Sequence, residues 1–302
     1  MSEREIGEGF DRTSSVWGGV EISRRCFMCG VTTGMLGNSL LTKAAAQQPA
    51  KVRAINDPNV VHSKVEFPSG SDIIDGYLAR PKKKGRYPVV LVIPGNWIVE
   101  PYIQETAAML AQGEFIGLAI NVFHFFPKVE TYEDTEKIPW QTTQQLVRDH
   151  YRDERINQDV QAAIDYLRSQ SFVRKNSVGI IGFCGGGASA LLSAAGVKDI
   201  GAVVPFYAPV TLKFPERKTP MEVAGNIRVP VQGHYGTKDK GISLNDVKKF
   251  EQTLRSQGPR IEIYTYEAGH GFFAYNRDES YDPEAAKLAW TRTRTFLKRH
   301  LR

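Results

Sequence analysis

The chain has 302 residues, with 39 Lys and Arg against 33 Asp and Glu, and a formal net charge of +6. A hydrophobic content of 41% with 24% charged residues is ordinary for a globular protein and excludes a mainly disordered or fibrous chain. Three cysteines are too few for a disulfide framework. The charge is mild for this length, and no Lys/Arg-rich stripe with interleaved aromatic residues stands out. We therefore expect no nucleic-acid binding.

The N-terminal segment has the layout of an export signal. Arg24 and Arg25 precede a moderately apolar stretch, which the small-residue run 44–46 follows. Residues 23–28 read Ser-Arg-Arg-Cys-Phe-Met and resemble the Ser-Arg-Arg-x-Phe-Leu pattern of twin-arginine signals. The stretch is too short and too polar for a stable membrane span. We expect residues 1–46 to be a signal peptide read by the twin-arginine export machinery, and the mature protein to be periplasmic. An amphipathic helix that stays on the protein is the alternative.

Removal of that signal would change the cysteine count. Cys26 and Cys29 have the spacing of a redox or metal half-site, but no second pair follows in the chain. Both would leave with the signal, so Cys184 would be the one cysteine of the mature protein. The charges in residues 1–46 cancel, and the mature chain keeps its net charge of +6.

Residues 47–60 are polar and predict a flexible leader; beyond them β-type runs alternate with helical ones. The patterns predict strands over 61–67, 73–79, 88–94, 115–122, 177–183, 200–207, 229–235 and 261–266. They predict helices over 102–112, 155–169, 186–195, 244–256 and 283–301. Residues 123–150 show no clear period and are expected to form a long excursion. The alternation favours one α/β domain over 61–302, with a mostly parallel sheet and helices on both faces.

A glycine-rich motif stands where a predicted strand meets a predicted helix. Residues 182–186 read Gly-Phe-Cys-Gly-Gly, a cysteine version of the Gly-x-Ser-x-Gly nucleophile elbow. Small flanking residues permit the tight turn, the amide of Gly185 can bind an oxyanion, and the helix N-terminus favours a thiolate at Cys184. The alternatives are a buried cysteine in a glycine-rich turn or a phosphate-binding loop. The Gly-Lys-Ser/Thr of a Walker loop is absent.

Two later residues complete the chain order that the elbow chemistry requires. His270 follows the last predicted strand, where an α/β-hydrolase presents its base. Asp239 follows the strand over 229–235 and falls between Cys184 and His270, as expected for the acid. Asp246 is an alternative acid within the next predicted helix. Asp239 itself could be a simple helix cap.

Further candidates surround this predicted triad. The backbone amide of Asn96, in the loop after strand 88–94, is the candidate second oxyanion donor. The side chain of Trp97 either faces the site or packs in the core. His124 and Phe126 belong to an aromatic loop that could line the substrate pocket.

These motifs resemble those of the dienelactone hydrolase family of α/β-hydrolases. The resemblance covers roughly residues 60–302 and is carried by segments 182–187, 236–239 and 269–272, with support from 100–105 and 285–290. It implies an α/β-hydrolase fold and a Cys184–His270–Asp239 triad. It also implies hydrolysis of a small ester or lactone through a thioester, without a metal or an organic cofactor.

The chain departs from the family's pattern in two places. Gly95 stands where the family often has a glutamate that helps to generate the thiolate, so activation would rest on His270, the helix terminus or another group such as Glu100. Phe126 and Ala274 stand where the naming enzyme has carboxylate-binding arginines, and Arg277 is nearby but out of register. A more apolar substrate than the dienelactone is expected. A non-enzymatic ligand-binding protein and a peptidase on the same fold are the rival hypotheses.

Overall fold

The computed structural model describes residues 14–17, 20–23, 53–95, 98–128, 134, 137–175, 178–214, 216–258 and 260–301. Most of the expected signal peptide lies outside these residues. Within it, strands β1 (Ser14–Trp17) and β2 (Val20–Ser23) pair antiparallel. None of the helices in the described ranges is long and apolar enough to cross a membrane.

The core is an eight-stranded sheet in the order β10-β9-β8-β7-β5-β6-β4-β3. β3 and β4 pair antiparallel with each other, β4 pairs antiparallel with β6, and the remaining pairs are parallel. All residues of β5 and β7 are buried, as expected for strands covered on both faces. The strands are β3 (Val60–Ser69), β4 (Asp72–Pro81), β5 (Val89–Ile93), β6 (Ile116–Ile120), β7 (Val178–Phe183), β8 (Ile200–Phe206), β9 (Val231–Gly236) and β10 (Ile261–Tyr266).

Helices cover both faces of this sheet. α1 packs on β4 and β6, α4 on β7 and β8, and α7 on β8 and β9. The helices are α1 (Pro101–Gln112), α2 (Trp140–His150), α3 (Asp153–Ser169), α4 (Gly185–Gly196), α5 (Pro220–Val223), α6 (Leu244–Ser256) and α7 (Pro283–His300). The predicted α/β architecture is confirmed, with every predicted strand and helix present within a few residues of its expected bounds.

α2 lies in the segment for which the sequence predicts no regular structure. Among its described side chains only Thr143 and Val147 are buried. Together with the half-buried Leu146 and His150, they are spaced three or four residues apart and lie on one face of the helix. Only Leu146 and Val147 of these four are apolar, so the helical period is weak in the sequence.

The end of the predicted leader is attached to the domain. The amides of Ala54 and Ile55 donate to the carboxylate of Glu105 in α1, at 2.6 and 3.1 Å. The guanidinium of Arg53 lies 4.2 Å from the centre of the Tyr275 ring. Ala54 is buried. These contacts fix the chain on α1 before it enters β3.

His234 is an uncharged polar link between three elements of the core. Its ring is fully buried in β9, with Nδ1 2.8 Å from the Tyr266 hydroxyl of β10 and Nε2 3.0 Å from the Thr293 hydroxyl of α7. Burial and, to a lesser extent, the nearby charge of Arg292 together lower the pKa of His234 from 6.5 to about 3. The imidazole is therefore neutral in the folded protein.

We expect this histidine to make the fold sensitive to acid. The unfolded chain takes up a proton at His234 below its ordinary pKa of 6.5, whereas the folded chain does so only near about 3. His234 therefore makes its full contribution to the free energy of unfolding above pH 6.5. This contribution falls by about 1.4 kcal/mol for each pH unit below that value. Glutamine at this position cannot titrate. Between about pH 6.5 and 4.5, the free energy of unfolding of His234→Gln, measured in urea, should therefore fall by about 2 kcal/mol less than that of the parent. His62→Gln, at an exposed histidine, is the control; an equal decline in the parent and both variants would contradict the expectation.

Candidate active site

Cys184 occupies a strained turn between β7 and α4. Its backbone angles are φ +50° and ψ −120°, a region that residues with a side chain rarely adopt. The flanking glycines make the turn possible. A Cβ at Gly182 would lie 2.2 Å from the carbonyl oxygen of Gly186, and one at Gly186 would lie 2.3 Å from that of Pro94. The Gly-x-Cys-x-Gly spacing thus follows from close backbone contacts on both sides of the cysteine.

The first turn of α4 places helix amides around Cys184. The Cys184 amide donates to the carbonyl of Phe206 at 3.0 Å, and the Cys184 carbonyl accepts from Gly187 and Ala188 at 2.9 and 3.2 Å. Gly185 is the first residue of the helix, a position whose amide has no acceptor within the helix. The side chain is a thiol, and the residue is 7% exposed. The positive end of the helix dipole favours its thiolate form.

His270 and Asp239 form a close pair. Nδ1 of His270 lies 2.6 Å from Oδ2 of Asp239, whose side chain is only 2% exposed. The other oxygen of Asp239 accepts the amide of Gly241 at 2.8 Å, which fixes the carboxylate. A carboxylate accepts, so Nδ1 carries the proton and Nε2 is left as the acceptor. Asp246, the alternative acid, lies in the first turn of α6, where the Thr211 hydroxyl donates to it at 3.5 Å.

Tyr207 packs against the imidazole of His270. The sequence predicts it only as the last residue of a strand and gives it no role in the site. It follows β8 directly, has a φ of +36°, and is buried. Its ring centre lies 4.9 Å from that of His270 at an angle of 59°. The two rings are therefore in contact, and Tyr207 restricts the positions that the imidazole can take. The sequence signal was its position after a parallel strand, at the same sheet edge as Cys184 and Asp239.

Gly95 explains why no glutamate stands beside the elbow. A Cβ at this position would lie 2.8 Å from the carbonyl oxygen of Phe183 and 2.9 Å from the Cβ of Cys184. Any side chain here would require the two loops to separate. Glu100, named above as a substitute, is buried, and its two oxygens accept from the guanidinium of Arg277, with one also bonded to Asn276 at 3.2 Å. Glu100 therefore joins the loop after His270 to the start of α1.

A buried network supports the first turn of α4 from the side of the 123–150 segment. The Tyr151 hydroxyl lies 3.4 Å from the Gly185 carbonyl oxygen and 3.1 Å from the Ser189 hydroxyl. The guanidinium of Arg217 lies 3.9 Å from the centre of the Tyr151 ring and donates to Asp153 at 2.8 Å. Arg217 is only 4% exposed. The network fixes the residue that follows Cys184.

The remaining candidates have contacts of their own or fall outside the described residues. Nε2 of His124 lies 3.2 Å from Asp159 of α3, and the other oxygen of Asp159 accepts from Ser69 at 2.7 Å. Phe126 is buried and packs on neighbouring aromatic rings of the same loop. Their role toward a substrate stays a prediction. Asn96 and Trp97 fall outside the described residues. Within the described ranges, no group of three or more His, Cys, Asp or Glu is arranged to hold a metal ion.

The strand order, the strained cysteine between β7 and α4, and the Asp239–His270 pair after β9 and β10 define an α/β-hydrolase. Residues 74–301 match the model of the dienelactone hydrolase family, and the chain belongs to that family.

Individual relatives agree with this membership. The chain is 33% identical over 231 residues to a Bradyrhizobium protein named as a 2-oxo-3-(5-oxofuran-2-ylidene)propanoate lactonase, covering 74% of this chain and 89% of the relative. It is 27% identical over 275 residues to a Methylorubrum extorquens protein named as a carboxymethylenebutenolidase, covering 88% of this chain and 92% of the relative. A Klebsiella pneumoniae structure described as a dienelactone hydrolase superposes with a TM-score of 0.65 at 26% identity, covering 78% of this chain and 96% of that one.

Proposed function

We propose that this ester or lactone hydrolase is exported and works through a Cys184–His270–Asp239 triad. The observation that carries the proposal is the 2.6 Å contact between Nδ1 of His270 and the buried carboxylate of Asp239. Such a carboxylate fixes the imidazole in the tautomer whose Nε2 can accept a proton. The strained elbow at Cys184 supports the same assignment.

The reaction proceeds by acyl transfer through a thioester. His270 Nε2 accepts the proton of the Cys184 thiol, and the sulfur attacks the substrate carbonyl carbon. The tetrahedral oxyanion receives hydrogen bonds from the amides of Gly185 and Asn96. The carbon–oxygen bond of the leaving group then breaks, and His270 returns the proton to that oxygen. Water deprotonated by His270 next attacks the thioester, and Cys184 leaves as the thiol with the acid as product.

The leaving group indicates the substrate class. The Bradyrhizobium relative is named for a lactone whose ring oxygen is bonded to a carbon–carbon double bond. Opening such a lactone releases an enol oxygen, which leaves more readily than a saturated alkoxide. We propose unsaturated lactones and aryl esters as substrates for this chain.

A panel of three compound classes tests the proposal. The purified protein should hydrolyse an unsaturated five-membered lactone and an aryl acetate, monitored by base uptake at constant pH, and should leave small peptide amides intact. Turnover of the peptides with no lactone or ester turnover would favour the peptidase hypothesis. Absence of turnover in all three classes would favour a ligand-binding protein, and either result would overturn the proposal.

Export is proposed from residues 23–28 and the alanines that follow. Replacing Arg24 and Arg25 together by lysine keeps the charge but removes the paired guanidinium groups of the signal. We expect the parent in the periplasmic fraction of a bacterial host and the double variant in the cytoplasm. The same distribution for both proteins would contradict export through this signal.

A further inference from the structure

Positive charge is concentrated on the loops that enter the parallel strands. These loops, 82–88, 113–115, 170–175, 197–199, 227–230 and 257–260, lie at the amino-terminal end of the sheet, and their described residues hold nine cations against two acids. The whole chain has a net charge of +6, so this end of the sheet accounts for all of the excess. The cations, all exposed, are Lys82, Lys83, Lys84, Arg86, Arg174, Lys175, Lys198, Arg228 and Arg260, and the acids are Glu114 and Asp199.

Two of the loops join into one patch. Tyr87 and Val173 form a parallel bridge, the amide of Tyr87 donates to Phe172 at 3.0 Å, and the amide of Arg174 donates to Tyr87 at 2.8 Å. The Tyr87 hydroxyl donates to the Lys83 carbonyl at 3.0 Å and fixes the first loop. We name as the basic patch the six cations that these contacts bring together: Lys82, Lys83, Lys84, Arg86, Arg174 and Lys175.

The two described acids of these loops form no ion pair with the basic patch. Asp199 is engaged by Arg168 at 2.8 Å. None of the ion pairs within the described residues involves a member of the basic patch. Six exposed cations on adjacent loops repel one another, and an anionic surface would relieve this repulsion.

The basic patch and the candidate active site lie at opposite ends of the same strands. β5 and β7 begin beside the basic patch and end at Pro94 and Cys184. Five or six residues of strand separate the two ends by about 20 Å. A surface bound at the basic patch therefore leaves the elbow on the far side, open to a dissolved substrate.

The patch fits a lipid surface better than a nucleic acid. Single-stranded nucleic acid is held by exposed aromatic rings interleaved with cations. The aromatic residues of the two joined loops are Tyr87 and Phe172, both half-buried. Four of the six cations are lysines, point charges that act through a diffuse field rather than through bidentate hydrogen bonds. We propose that the basic patch binds the anionic phospholipid headgroups of a bilayer surface and holds Cys184 facing away from the membrane.

Vesicle sedimentation with the full chain tests this proposal. We expect binding to phosphatidylcholine vesicles that contain phosphatidylglycerol, no binding to pure phosphatidylcholine, and release by about 0.5 M NaCl because salt screens exposed charges. The triple variant Lys82→Gln, Lys83→Gln, Lys84→Gln should bind at least about tenfold more weakly. A matched variant with the same loss of charge, Lys64→Gln, Lys248→Gln, Lys287→Gln, should bind like the parent.

The outcomes separate the patch from its alternatives. If both triple variants bound the vesicles equally weakly, net charge alone would be responsible. If the patch variant bound as tightly as the parent, another segment would bind the vesicles. Each result would overturn the proposal. Tighter binding to duplex DNA than to the anionic vesicles, lost in the patch variant, would replace the lipid by a nucleic acid. Both variants should hydrolyse the aryl ester at the parental rate, which shows that they are folded.

Discussion

Replacing Cys184 by alanine is expected to lower ester hydrolysis by about 10⁴-fold or more, because no other group can form the thioester. Water would then have to attack the bound carbonyl directly, aided only by the oxyanion donors and by binding. The measurement is the initial rate of aryl acetate and lactone hydrolysis by the purified variant, read as kcat/KM. A rate within tenfold of the parent would contradict the assignment of the nucleophile.

Two controls separate lost chemistry from lost fold. The Cys184 side chain is small, so removing its sulfur should leave thermal unfolding within a few degrees of the parent. Cys184→Ser keeps a nucleophilic atom in place, but its hydroxyl is far less acidic than a thiol. We expect the serine variant to retain measurable but much reduced activity and to resist inactivation by iodoacetamide. Iodoacetamide should inactivate the parent well below the ordinary thiol pKa of about 8.5, since the helix terminus and His270 favour the thiolate.

The sequence was sufficient for the parts of the site that depend on local rules. The glycine spacing around Cys184 reflects contacts of 2.2 and 2.3 Å that exclude any side chain at Gly182 and Gly186. The order Cys184, Asp239, His270 reflects three strands that end at one edge of a parallel sheet. Local chain geometry therefore determines the elbow, and strand order determines which acid can reach the histidine.

Other parts depend on contacts between distant residues and could not be read from the sequence. Arg217 and Tyr151 are 66 positions apart, yet the guanidinium covers the ring at 3.9 Å. The one sequence signal of Tyr207 is its position after a parallel strand, and its positive φ and its contact with His270 emerge only from the structure. The two basic segments at 82–86 and 174–175 are short and separated, so the chain shows no stripe although the fold joins them. These contacts arise from packing between residues that are distant in the sequence, so no local sequence pattern predicts them.

Asp239→Asn is expected to lower kcat by about 10²- to 10⁴-fold while changing KM little. The asparagine keeps the size of the side chain, and its oxygen can still accept the Gly241 amide that Asp239 binds at 2.8 Å. Its NH₂ group, however, can donate to Nδ1 of His270, which would move the ring proton to Nε2 and leave no acceptor for the thiol proton. The variant should fold normally and lose its general base.

The pH dependence of that variant distinguishes a positioning defect from a structural one. Because a thiol ionises without help above about pH 8.5, the activity of Asp239→Asn should rise steeply through that range, whereas the parent should already have levelled off. Asp246→Asn changes the alternative acid, which contacts Thr211 rather than His270, and should hydrolyse esters within twofold of the parent. If the two asparagine variants lost activity equally, or if Asp239→Asn lost it without recovery at high pH, the carboxylate would not orient the histidine. Recovery confined to Asp239→Asn would tie the 2.6 Å contact between Asp239 and His270 to proton transfer at Cys184.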